Sequence, residues 1–129
     1  MSKHIEACNN CIVQCEKCIN TAKDCIINID TAENKHNNCA HECKKTIASC
    51  LACIEACKEH MLHCSDEQCL QHCKECIKKC YDCIKMCEQC ADSCVSNDQQ
   101  CRDACKACID ACTECLQACD ACIENSCSN

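Results

Sequence analysis

CLQHCKECIKKCYDCIKMCEQCADSCV, residues 69–95, places Cys69, Cys73, Cys76, Cys80, Cys83, Cys87, Cys90 and Cys94 at steps of 4, 3, 4, 3, 4, 3 and 4. Alternating steps of four and three keep every one of these side chains on one seam of an α-helix. In an ordinary bundle that seam is Leu or Ile. Here it is thiol at every turn. Lys, Glu, Gln and Asp occupy most of the remaining positions, which suits a solvated outer face.

The same rhythm extends on both sides of this stretch. A first helix is expected over residues 4–28, with the seam His4, Cys8, Cys11, Cys15, Cys18, Ala22, Cys25 and Ile29. A second is expected over 31–64, with His36, Cys39, Cys43, Thr46, Cys50, Cys53, Cys57, His60 and Cys64. The opening stretch is the third, over 66–95. A fourth, over 98–125, carries Cys101, Cys105, Cys108, Cys112, Cys115, Cys119, Cys122 and Ser126. Of all the cysteines only Cys127 falls off a seam. Asp30, Ser65 and either Ser96 or Asn97 are the expected N-caps, with Glu33, Gln68 and Gln99 or Gln100 as capping-box partners. The unit Cys-x-x-Cys followed by Ile, Leu or Ala recurs along all of this, and Ile12, Ile54, Ile77 and Ile109 are expected as core seals between neighbouring helices.

The chain has 129 residues, 27 of them Cys, with no Gly, no Pro and a single Tyr. Absence of both helix breakers, together with the missing β-branched and aromatic runs, predicts an all-α protein. Short connections between long helices predict one antiparallel up-down-up-down four-helix bundle with a cysteine-lined core, spanning 1–129 as a single domain. A net charge of −7 argues against nucleic acid. No apolar run is long enough for a membrane span. The segment Met1–Cys8 has no apolar leader core, so a cytoplasmic location with reduced thiols is expected.

Thiols in a helical core admit several readings. Cys packs as a small hydrophobe, but Ala or Val would do that without the risk of oxidation. A disulfide scaffold fits poorly with an odd count and with neighbouring turns of one helix, where bridge geometry is strained. Iron–sulfur ligation usually shows a short Cys run ending in Cys-Pro, which is absent. Zinc would build layers of four thiolates. Each such layer carries −2, so about six of them would bury about −12 on a dry axis without a seam Lys or Arg. Cu(I) is soft, accepts two or three sulfurs, and is neutral at one ion per thiolate. Capacity would then approach about two dozen ions per chain. A zinc- or cadmium-binding, metallothionein-like protein and a thiol redox buffer remain the alternatives.

Four helices carrying Cys-x-x-Cys and Cys-x-x-x-Cys rows from His4 to Cys122 resemble the four-helix-bundle copper storage proteins. The resemblance implies many Cu(I) ions held by core cysteines and a homotetramer of bundles. The start of this chain is similar to the cytosolic form. The rows are interrupted at Ala22, Ile29, Thr46 and Ser126. On this reading the chain is a storage protein and not an enzyme, and a copper chaperone is a candidate partner.

In the up-down topology one end collects His4, His60, Met61, His63 and His72. His4 and His60 are at inward positions, and His63 and His72 on the flanks. Imidazole and thioether there would take up Cu(I) before the thiolates receive it; polar capping of the bundle end is the competing reading. His36 is a candidate terminal ligand at the opposite end. His41 is expected on the outer face, and Met86 as a gap filler.

Overall fold

The computed structural model describes residues 2–27, 33–93 and 98–126; the side chains of 33–37 and 98 lie outside that description. Four helices follow one another: α1 Lys3–Ile27, α2 Glu33–Leu62, α3 Glu67–Ser93 and α4 Asp98–Glu124. They are 25, 30, 27 and 27 residues long, so each spans roughly 40 Å at about 1.5 Å per residue. No strand is present among the described residues.

Each helix packs against two neighbours: α1 against α2 and α4, and α3 against α2 and α4. The diagonal pairs make no close backbone contact among the described residues. The directions follow from sulfur pairs. Along α1 and α2 the pairs are Cys8–Cys53, Cys11–Cys50 and Cys18–Cys43, so each step forward on one helix is matched by an equal step back on the other. The same holds for α3 and α4 through Cys76–Cys119, Cys80–Cys115, Cys83–Cys112, Cys87–Cys108 and Cys90–Cys105. Cys53–Cys76 and Cys39–Cys90 join α2 to α3, and Cys11–Cys115, Cys18–Cys108 and Cys25–Cys101 join α1 to α4. Adjacent helices are antiparallel throughout, as the short connections predict.

Helix ends differ in detail from the expectation. The Ser2 hydroxyl accepts from the His4 amide at 3.2 Å, so α1 is capped by the residue just before Lys3, two positions ahead of the start of the seam. Ahead of α3 the cap is Asp66, not Ser65: its Oδ1 accepts from the Cys69 amide at 3.0 Å. A carboxylate satisfies an orphan N–H and also opposes the positive helix end, which a hydroxyl does not. α2 stops at Leu62 and tightens through His63 N–H to the His60 carbonyl at 3.1 Å. That leaves Cys64 beyond the helix, half-buried, with its thiol 3.9 Å from the Asp66 carbonyl. The expected caps at Asp30 and at Ser96 or Asn97 lie outside the described residues. So do Ile29, Cys94 and Cys127, and the side chains of Glu33 and His36.

The core is made almost wholly of thiol. Of the expected isoleucine seals only Ile54 is fully buried; Ile12, Ile77 and Ile109 are half-buried along the creases between helices. The reason is size. A Cys core lets helices approach closely, so the position after each inward Cys reaches the rim rather than the axis. Among the described residues no helix is long and apolar enough to cross a membrane.

Candidate metal centre

Of the cysteines in the described residues, every one except Cys64 is buried, and all are free thiols. Their placement follows from helix geometry alone: 3.6 residues per turn and steps of four and three return each side chain to the same wall. Four walls then face one another. Cys8, Cys53, Cys76 and Cys119 form one ring, with sulfur separations of 3.6 to 3.9 Å. Cys11, Cys50, Cys80 and Cys115 form the next, at 3.7 to 3.9 Å. Further along, Cys18, Cys43, Cys87 and Cys108 lie 3.7 to 4.0 Å apart. Cys39, Cys90 and Cys105 are 3.6 to 3.8 Å apart. A disulfide needs sulfurs at about 2.0 Å, whereas a metal–sulfur bond of about 2.3 Å sets tetrahedral sulfurs about 3.8 Å apart.

The metal-sized groups are not separate. Cys11 belongs both to the set with Cys53, Cys80 and Cys119 and to the set with Cys50, Cys80 and Cys115. Cys50 and Cys115 recur with Cys15 and Cys83. Within each set the ligand atoms lie within 4.8 Å of one another. Sulfurs are therefore shared between successive positions along the axis, which suits bridging thiolates rather than isolated cages.

Three interruptions lie among the described residues, Ala22 and Thr46 within the core and Ser126 at its end. Ala22 is buried on the α1 wall. Thr46 is buried on the α2 wall; its hydroxyl donates to the Glu42 carbonyl at 2.8 Å, and Gln14 Nε2 lies 3.4 Å from it and 3.0 Å from Glu42 Oε1. The Gln14 contact holds the Glu42 carboxyl below its usual range.

The dry thiols perturb one another. Cys18 is held down to about 5 by S–H bonds from Cys108 and Cys112. Cys108 is likewise held down, chiefly by Cys112, whereas Cys112 is pushed up chiefly by its bond to Cys108, and Cys50 chiefly by its bond to Cys11. Burial by itself raises every one of them, because a thiolate in an apolar interior lacks solvation. His4 and Thr46 are the only buried polar residues, and no Lys or Arg is buried among the described residues.

At one end the walls close on imidazole. His4 is 2% exposed. Its Nε2 lies 3.0 Å from Cys122 Sγ and 3.8 Å from Cys73 Sγ, and its Nδ1 lies 3.5 Å from Ser126 Oγ. Hydrogen bonding to Cys122, then to Cys73, raises His4 to about 10 against the opposing effect of burial. Cys122 is held down to about 3, first by Cys57. The half-buried His60 stacks on His4 with ring centroids 4.4 Å apart and reaches Cys69 Sγ at 3.3 Å. A cleft of about 540 Å³ between α1 and α2 is lined by His4, His60 and His63 together with Glu55 and Glu59. His63 is exposed and pairs with Glu59 at 3.4 Å. Met61 is half-buried against the core. His72 is half-buried on α3, and His41 is exposed. The structure thus brings His4, His60 and His63 to one cleft and leaves His72 outside its lining.

Ser126 is a contact of His4 that the sequence pattern treats only as a gap. Its signal is its place on the α4 seam, one step beyond Cys122, at the end where His4 sits. Comparison with protein-family models, with curated proteins and with solved structures finds no match.

Proposed function

We propose that this protein stores Cu(I), binding many ions per chain through the thiolates along its axis, as in the copper storage proteins it resembles. The observation that carries this reading is the sharing of sulfurs between overlapping groups on a dry axis that buries no Lys or Arg among the described residues. Divalent ions in every ring would leave a large uncompensated negative charge there. A monovalent soft ion at one per thiolate leaves none, and bridging uses the shared sulfurs directly. The role is sequestration rather than catalysis. The His4–His60 end is the proposed loading mouth, where a copper chaperone would deliver ions in the cytoplasm, and the working assembly is a homotetramer.

The test is an anaerobic titration of the reduced protein with Cu(I) against a chromophoric competitor. The expected plateau is well above about six ions per chain, the limit for one ion per layer of four thiols. A plateau at or below that limit would overturn the copper reading in favour of zinc-type layers.

A further inference from the structure

The His4 end differs in kind from the rest of the axis. His4, Cys8, Cys57 and Cys122 bring one imidazole and three sulfurs within 4.8 Å of one another. We propose that this quartet is a site for one zinc-type divalent cation, sharing Cys8 with the neighbouring all-thiol ring and tying α1, α2 and α4 together at the end of the thiol-lined axis. The proposal rests on the core being a metal-binding one, but not on its metal being copper.

Three features support it. The donor set is the N/S mixture of a closed tetrahedral zinc site, where bonds of about 2.0–2.1 Å to nitrogen and about 2.3 Å to sulfur place the donors about 3.6–3.8 Å apart. The four atoms already lie within about an ångström of that spacing, and the 3.0 Å contact from Nε2 to Cys122 is where the cation replaces a proton. The second feature is charge. One imidazole and three thiolates leave −1 on a divalent ion, against −2 for an all-thiolate ring, so a divalent ion is penalised less here than in such a ring. The third is the outer contact. Ser126 Oγ stands 3.5 Å from Nδ1, placed to accept from Nδ1–H and leave Nε2 to the metal. Ligating histidines usually have such a partner. The rows of α4 would continue with Cys at that position; the hydroxyl found there orients a ligand instead of adding one.

The experiment uses the full chain, metal-free and reduced, with Zn(II) and Co(II) as probes. After one equivalent of Zn(II), X-ray absorption at the zinc edge should report one nitrogen and three sulfurs. A shell of sulfur alone, or no tight binding of the first equivalent, would overturn the proposal. Co(II) should give the visible bands of a tetrahedral mixed-thiolate site. Ser126→Ala should weaken Zn(II) roughly tenfold or more with the same shell; an unchanged affinity removes the orienting role and counts against the site. His4→Gln should weaken it further and turn the shell to sulfur. The wild-type absorption measurement needs no variant, so it decides the matter even if His4→Gln folds poorly. Cu(I) capacity is read separately. A low copper plateau with the one-nitrogen shell intact sinks the storage reading alone, and the reverse result sinks only this site.

Discussion

Thr46 shows how much a single seam residue decides. It sits where a Cys would complete the α2 wall between Cys43 and Cys50, and its hydroxyl is spent on the Glu42 carbonyl. A hydroxyl engaged in this way is a poor ligand for a soft ion. Thr46→Cys should therefore raise Cu(I) capacity by about one ion per chain, read from the same competitive titration; an unchanged plateau would mean that neighbouring sulfurs already saturate that level. Ile54 is the opposite case, an aliphatic side chain fully buried among thiols. Ile54→Ala should destabilise the metal-free protein by about 2–4 kcal/mol in urea unfolding, with little change in capacity. A loss of capacity there would assign Ile54 to holding the rings in register.

At the scale of the helix, the termini carry the local information. With no Gly or Pro in the chain and no positive φ among the described residues, the described ends of α2 and α4 tighten through i to i+3 bonds from His63 and Ser126. Asp66 caps α3 with a charge-assisted bond. Asp66→Ala should cost about 1 kcal/mol in thermal or urea unfolding, while Ser65→Ala should cost much less. Equal effects would restore Ser65 as the cap. The surface pairs Lys79–Glu114 at 2.6 Å and Lys45–Glu42 at 3.4 Å are exposed on at least one side and are expected to add little.

For the whole molecule, the thiol axis couples metal, proton and stability. Thiols such as Cys50, Cys80 and Cys112 are raised in the metal-free protein, each chiefly by a bond to a neighbouring Cys. At neutral pH they carry their protons, so an incoming ion must displace them. Metal binding should release protons, tighten as pH rises and weaken as it falls. A pH-stat during Cu(I) titration checks the sign, and uptake without proton release would mean that the thiols are already ionised. A core of Cys with few aliphatic side chains also makes the metal-free bundle a weak hydrophobic structure. Ligand binding to the folded state stabilises it by mass action, so loading should raise the Tm strongly and chelation should reverse it.

The helical period, the four walls and the inward direction of nearly every thiol follow from residue spacing, because steps of four and three match one face of an α-helix and nothing else. The antiparallel order follows from short connections, and the collection of histidines at one end follows from that order. Spacing could not decide register or depth. It could not show that Cys11 would meet Cys50 and Cys115 at once, that Cys64 would fall past the end of α2, or that Ile12 and Ile77 would stop at the rim. Nor could it turn Ser126 from a gap in a row into the partner of His4. A one-dimensional period fixes the face of each helix, whereas the height at which four faces meet and the distance between them depend on how closely small side chains let the helices pack. That packing is a property of all four helices together.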